Sequence, residues 1–418
     1  MGIRRATIIT IGDELLIGQT IDTNSAWIAK HLNELGIDVL KRVAVGDDAN
    51  AIISALDEEI PQADIVLLTG GLGPTADDIT KPLLCNYFNG KMVVDEQVLE
   101  HVKEIFRKRN RPFIERNMKQ AEVPDTCRVL FNPAGTAPGM LFEKEGKLVI
   151  AMPGVPFEMM AIMEIAVLPM LKQQSSSGVI VHRSIVTAGE GESFIAEKIA
   201  DIESALPQYI KLAYLPSLGM VKLRLTAKGD DESLLVSETE TWQVKIVSRL
   251  GDIVIAQEDI PIQQVLGQLL KEKGATLSLA ESCTGGYISH LLTLVKGSSS
   301  FYKGSIVSYL WEVKENVLKI PHDVLQQNGA VSEPVALQMA ENVRHMLKTD
   351  YSLSVTGILD KEPVADETAL PGTLWVGIST EGFEKAKQFK VYYDRERNKE
   401  SAATMAMLML IKAIKGQL

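Results

Sequence analysis

The sequence predicts an α/β protein with three parts: a three-layer doubly wound domain, a small α+β connector and a second α/β domain. Three observations carry this. Its 418 residues exceed what a single core accommodates. Short Val/Ile/Leu-rich runs alternate with segments at helical spacing over residues 1–172 and again over 257–418. Between them, residues 173–256 open with a serine-rich break and continue in strands of strict alternation.

The apolar runs Ala6 to Ile11, Asp64 to Thr69 and Leu148 to Met152 read as parallel strands buried on both faces. Ile28, Leu32 and Leu35 stand at helical spacing, with Asp22 or Thr23 as cap and Gly36 as the left-handed stop. The chain returns as the strand IDVLKRVAV, and Ile52, Ile53, Leu56 and Ile60 then mark a second helical face. In the connector, VHRSIVTAG, YIKLAYLP and MVKLRLTAKG alternate like half-exposed strands, while FIAEKIADIESAL and the segment around Trp242 read as helices. Val265, Leu269 and Leu270 begin the last series of helices and strands.

Composition narrows the function classes. With 46% hydrophobic and 23% charged residues the chain has the usage of a folded globular protein. A net charge of −11 draws it neither to nucleic acid nor to an anionic membrane, so small molecules are the expected partners. Cys85, Cys127 and Cys283 are too dispersed for a metal knuckle and read as thiols of a reducing compartment. The N-terminal run ends at Asp13 and Glu14 and reads as a first strand rather than a signal, and no apolar stretch is long enough to span a bilayer, so a cytoplasmic protein is expected.

Two constellations carry chemistry. In the first, Gly70, Gly71 and Gly73 follow an apolar strand, Thr75 adds a hydroxyl, and Asp77 and Asp78 add oxygen ligands suited to a divalent cation. Ligands of open α/β sheets bind at this edge. Taken alone, the aspartates serve equally well as caps of a helix starting near Ile79. Glu14 after the first strand, Asp47 after the second and the Pro153–Glu158 turn place more acidic or glycine-rich residues at strand exits. Together these suit metal-assisted cleavage of a phosphoanhydride.

In the second constellation, LSLAESCTGGYISHLL turns through Ser282, Cys283 and Thr284 and enters a helix at Gly285 and Gly286, where helix-terminal amides can hold an oxyanion. Chemistry alone leaves the nucleophile open. Cys283 is the stronger one intrinsically but also reads as a small packing residue, whereas Ser282 needs a base. Tyr309 and Lys314 stand together downstream; Lys314 reads most simply as a surface lysine, and only desolvation would make it a base.

The segments TIGDELLIGQTIDTNSAWIAKHL, LLTGGLGPTADDITK, NPAGTAPGM and MPGVPFEM resemble, in order and spacing, the N-terminal domain of the competence/damage-inducible protein A (CinA) family. GEGESFIAEKI with VKLRLTAKG resembles its middle domain, and AESCTGG, KGSSS, the Tyr and Lys five residues apart, NGAVSE and SVTGI resemble its C-terminal domain. The resemblance implies a molybdopterin-binding-like fold with metal-dependent ADP-ribose pyrophosphatase activity at the N-terminus. It assigns ligand-site roles there to Gly70, Gly71, Gly73, Thr75, Asp77 and Asp78, together with Glu14 and Asp47, around Mg²⁺, Mn²⁺ or Co²⁺. For the C-terminal domain it implies a cofactor-free Ser-Tyr-Lys amidohydrolase that converts nicotinamide mononucleotide to nicotinate mononucleotide. Ser282 is then the nucleophile, Tyr309 and Lys314 its proton-transfer partners, and Thr284, Gly285, Gly286 and Arg395 the ligand-binding residues. A homodimer and a place in pyridine nucleotide turnover are further implications. The alternatives are a non-catalytic nucleotide-binding or partner-docking role in competence or the DNA-damage response, and molybdopterin binding on fold similarity alone.

Four departures from the family pattern stand out. Val155 replaces a proline in the P-G-P-P turn; Leu310 and Trp311 replace a small polar pair; Tyr393 and Lys399 replace a glycine and an arginine. After Ile358 a glycine-rich loop gives way to a segment carrying Asp360, Glu362, Asp366 and Glu367. The expectation is a C-terminal pocket with more apolar bulk and a weaker hold on phosphate.

Overall fold

The computed structural model describes residues 3–75, 77–174, 178–360 and 369–418, so Glu362, Asp366, Glu367 and the serines at 175–177 lie outside the described residues. The chain has an α/β fold that packs as two compact units, Met1–Val181 with Thr226–Glu238, and His182–Leu225 with Thr239–Leu418.

The strands run, in chain order, β1 (Arg5–Ile11), β2 (Asp38–Val45), β3 (Ile65–Thr69), β4 (Met92–Val94), β5 (Glu122–Pro124), β6 (Arg128–Leu130), β7 (Gly139–Lys144) and β8 (Lys147–Met152). Six of them form a sheet ordered β2-β1-β3-β8-β7-β6, with β2, β1, β3 and β8 parallel and the last two added antiparallel. Successive residues of these strands feed two apolar layers. Ile8, Ile65, Leu67 and Ile150 pack with Ile28, Leu32 and Met159 on one face, while Ile9, Val66, Leu68 and Val149 pack with Ile52 and Leu56 on the other. That is the doubly wound, three-layer arrangement. Helix Thr23–Glu34 starts where Asp22 accepts from the Ser25 amide at 2.9 Å, and Gly36 follows it at φ 73°. Helix Ala49–Glu59 is capped by Asp48, which accepts from the Ala51 amide at 2.9 Å.

The remaining strands are β9 (Val179–Ala188), β10 (Ile210–Ser217), β11 (Met220–Gly229), β12 (Val254–Ala256), β13 (Leu277–Glu281), β14 (Tyr302–Val307), β15 (Tyr351–Gly357), β16 (Thr373–Ser379) and β17 (Glu384–Lys390). One sheet runs β10-β11-β9-β12; along β11 buried and more exposed residues alternate, as the sequence period requires. The other runs β14-β13-β15-β16-β17, with β14, β13 and β15 parallel and the last two antiparallel. Helix Arg395–Ile414 packs on one of its faces through Ala402, Ala406 and Leu410, and helix Glu333–Leu347 covers the other through Val335, Met339 and Val343. The β13/β14 register carries one bulge: Leu277 faces Tyr302 but Ser278 faces Gly304, so Lys303 is the extra residue.

Candidate functional site

Both constellations sit at the carboxyl ends of parallel strands. Gly12–Glu14, Gly46–Asp48, Gly70–Asp78 and Pro153–Glu158 follow β1, β2, β3 and β8, and Ser282, Ser308 and Ile358 follow β13, β14 and β15.

In the N-terminal constellation the glycine loop comes close to the neighbouring strand. A Cβ at Gly70, whose φ is 122°, would lie 2.2 Å from the Ile11 carbonyl oxygen. Asp78 does not cap the following helix Thr80–Tyr87, whose N-cap Ile79 has no side-chain partner. One Asp78 oxygen instead accepts from the Gly73 amide at 2.8 Å, and the other accepts from the Thr75 amide at 2.8 Å and from the Thr75 hydroxyl. The Gly70 amide donates to Met152 O at 3.1 Å. Asp78 is therefore a latch that closes the loop, and the Gly70 and Gly73 amides are already engaged.

Beside it, the Asp13 amide donates to Asp47 at 3.0 Å and the Asp47 amide returns a bond to Asp13 at 3.2 Å. Partial burial first, and then the charges of Asp13, Glu14 and Asp77, hold the Asp47 carboxyl above its ordinary range against the pull of the Asp13 amide. Among the described residues no three His, Cys, Asp or Glu side chains converge to hold a metal. The donor set does not form a preassembled cage, and no chemical step is assigned to an ion there.

Sequence reasoning missed two residues of this region. Asn24 is buried and donates to Thr69 Oγ1 at 3.1 Å and to Gly154 O at 2.7 Å, while its Oδ1 has no partner among the described residues. Lys81 is buried against the Gln120 carbonyl at 3.1 Å, and desolvation pulls its pKa down to about 8. Asn24 sits within the quoted NSAW run, on a helix face that also carries Ile28 and Leu32; a polar residue on that apolar stripe was the available signal.

The C-terminal constellation is tighter. Ser282, Tyr309, Lys314 and Arg395 line one cavity with Trp311 and Asp360. Lys314 is 1% exposed, and its Nζ donates to Ser282 Oγ at 3.0 Å and to the Ser308 carbonyl at 2.7 Å. The surface-lysine reading is overturned, because the helix Trp311–Asn316 turns this residue inward from the end of β14. A lysine taken out of water meets the general condition for an amine that can be neutral and accept a proton.

Cys283 is 9% exposed and borders the same cavity, but it packs in the apolar cluster with Leu279 and Ile288, and burial pushes its thiol up to about 12. It packs; it does not present a thiolate. Tyr309 is half exposed, and its hydroxyl accepts from Arg395 Nη2 at 2.8 Å rather than meeting Ser282 or Lys314. Arg395 also pairs with Asp360. Trp311 reaches the cavity, but Leu310 is 60% exposed and does not line it, so the apolar bulk expected there comes from Trp311 alone.

The loop after the nucleophile is internally bonded. Gly285 (φ 59°) donates its amide to Ser282 O at 3.0 Å, and Gly286 (φ 91°) donates to Glu281 at 3.1 Å. Thr284 is buried, and its Oγ1 has no partner among the described residues. Lys399, at the position of the expected arginine, places its Nζ 3.9 Å from where a Cβ on Gly285 would lie.

Comparison with known proteins divides the chain into three matched segments. Residues 7–173 match the family described as "Probable molybdopterin binding domain", residues 182–256 the "Damage-inducible protein CinA KH domain", and residues 259–414 the "CinA C-terminal domain". A CinA-like protein of Flavobacterium psychrophilum is 43% identical over 98% of this chain and 98% of its own. Another, of Cytophaga hutchinsonii, is 42% identical over 97% of each. A solved CinA structure from Thermoplasma acidophilum is 35% identical, covering 41% of this chain and 98% of that one at a TM-score of 0.37. With identity at this level sustained from end to end and all three family segments matched in order, the chain belongs to the CinA family of competence/damage-inducible proteins.

Proposed function

We propose that the C-terminal site is a serine amidohydrolase with lysine as base, and that its substrate is the carboxamide of a nicotinamide nucleotide, deamidated to the nicotinate form. The observation that supports this is the buried Lys314 Nζ at 3.0 Å from Ser282 Oγ, in a cavity at the ends of parallel strands. In its neutral form Lys314 accepts the Ser282 proton as Oγ attacks the amide carbonyl. The tetrahedral intermediate collapses when the protonated amine returns that proton to the departing nitrogen, releasing ammonia and leaving an ester on Ser282. Water, deprotonated by the same lysine, then cleaves the ester to the acid. The Ser308 carbonyl, 2.7 Å from Nζ, keeps the amine aimed while its proton comes and goes. Tyr309 holds Arg395 at the cavity wall, so its role in this scheme is to orient the substrate.

For the N-terminal domain we propose binding and cleavage of a nucleotide diphosphate, ADP-ribose, at the latched glycine loop. The loop's place at the carboxyl edge of β3, beside Asp13 and Asp47, supports this reading.

The test is direct. The purified chain is incubated with nicotinamide mononucleotide while ammonia is measured, and separately with ADP-ribose, with and without Mg²⁺, Mn²⁺ or Co²⁺, while AMP is measured. Ammonia release that vanishes in Ser282→Ala is expected; silence with both substrates would favour a nucleotide-binding protein without catalysis.

A further inference from the structure

Glu281 is the last residue of β13, directly before the nucleophile, and is fully buried. A buried carboxylate in a sheet core is costly unless each lone pair finds a donor. Here four donors converge on it. Oε2 accepts from the amides of Gly286 and Ile288, each at 3.1 Å; Oε1 accepts from the Ser289 amide at 2.9 Å and the Ser289 hydroxyl at 2.5 Å. The Tyr302 hydroxyl, itself on β14, donates to Ser289 Oγ at 2.8 Å and extends the chain of bonds. These donors belong to the first turn of helix Tyr287–Thr293 and to its left-handed N-cap Gly286. The side chain that precedes the nucleophile therefore grips the helix that follows it, and residues 282–285 bridge the two ends of that grip. At its other end the backbone of the loop is pinned where the Ser282 amide donates to Val355 O at 2.9 Å, and the Gly285 amide donates to Ser282 O at 3.0 Å.

We propose that Glu281 is a positioning residue for the Ser282 nucleophile: by holding the first-turn amides it fixes the approach of Ser282 Oγ to Lys314 and to a substrate carbonyl. This rests on Ser282 being the nucleophile. The effect operates through Ser282 and not through substrate contact, since Glu281 is absent from the cavity lining. A displaced nucleophile slows the chemical step without weakening substrate binding, and misplacement by about 1 Å costs roughly 10²-fold.

A serine-directed fluorophosphonate probe reads the geometry of Ser282 without any assumption about the natural substrate. Its labelling rate is measured by intact mass on the full chain for wild type, Ser282→Ala, Glu281→Gln and Ser289→Ala, with melting temperature recorded for each. Glutamine keeps the shape but puts amide hydrogens where N–H donors already point. The expected result is labelling of wild type at Ser282, slowed roughly 10²-fold in Glu281→Gln and several-fold in Ser289→Ala, which removes one donor of the four. Ammonia release should follow with kcat reduced in the same proportion and KM within about twofold. Labelling of Glu281→Gln at the wild-type rate overturns the positioning role and leaves the amidohydrolase reading intact. So does a variant whose KM rises while kcat holds. If Glu281→Gln does not fold, unchanged labelling in a folded Ser289→Ala overturns the role by itself. Wild type that labels nowhere overturns the nucleophile assignment and, with it, this proposal.

Discussion

Lys314 Nζ lies 3.0 Å from Ser282 Oγ although the two residues are 32 positions apart, and both are buried. If this pair performs the chemistry, Lys314→Met, which keeps the apolar stem and removes the amine, should reduce ammonia release by about 10²- to 10⁴-fold, the usual contribution of a general base. KM should move little. Turnover within threefold of wild type would remove lysine from the mechanism.

Cys283 is expected to be silent. With its thiol pushed up to about 12 by burial, the folded protein at pH 8 should resist iodoacetamide at this position, as peptide mass mapping would show. Cys283→Ala should keep most deamidase turnover, and a variant that lost it while still folded would return the nucleophile to cysteine.

The Arg395 guanidinium is shared between Asp360 and Tyr309, so a phosphate must compete with a carboxylate for it. Both partners of the ion pair are partly exposed, which limits its strength to about 0.2–1 kcal/mol. Asp360→Asn should therefore lower KM for nicotinamide mononucleotide by roughly two- to fivefold and leave KM for the unphosphorylated riboside unchanged. Equal shifts for the two would show that Arg395 does not meet the phosphate.

At the other site the two roles available to Asp78 predict different kinetics. A latch, once cut, cannot be restored by metal. Asp78→Asn is expected to abolish AMP release from ADP-ribose even at saturating Mn²⁺, and to speed hydrogen exchange at the Gly73 and Thr75 amides that Asp78 holds. Recovery of activity at high metal would identify Asp78 as an ion ligand.

Lys81 carries a stability penalty with a defined pH window. Its folded pKa of about 8 lies below the ordinary lysine value of 10.5, so between these values the unfolded chain binds more protons than the folded one, and stability rises with pH. Below about pH 8 the penalty is fully present, and above about 10.5 it is gone. The melting temperature of wild type relative to Lys81→Met should climb from pH 8 to 10; a flat difference would mean that Lys81 is not desolvated.

The fold was legible because its signals are periodic. Strands such as IVLLT announce two-sided burial through composition alone, and Asp22, Asp48 and Gly36 act locally as caps and stop. What stayed hidden depends on contacts between segments distant in sequence. Nothing near Lys314 says that its stem turns inward, because the groups that receive it, Ser282 and the Ser308 carbonyl, arrive through strand pairing. Leu310 and Trp311 are adjacent, yet Leu310 is exposed and Trp311, the first residue of a six-residue helix, lines the cavity. Glu281 has no legible role in the AESCTGG motif, since a glutamate before a serine has no meaning until the helix that follows folds back over it.

The single bulge between β13 and β14 sets the gauge of the Ser282–Lys314 pair. Because Lys303 is looped out, Glu281 faces Val307, and the next residues outward, Ser282 and Ser308, emerge side by side with Lys314 held by the latter's carbonyl. Deleting Lys303 would straighten the bulge and leave Glu281 opposite Val307, whereas one residue inserted between Gly304 and Val307 would shift the rest of β14 by one step, exchange its inward and outward faces, and carry the amine away from the hydroxyl. The spacing of Ser282 and Lys314 is thus counted out in backbone units along β14. A site of this design tolerates many substitutions around its pocket far more readily than one inserted residue in that strand.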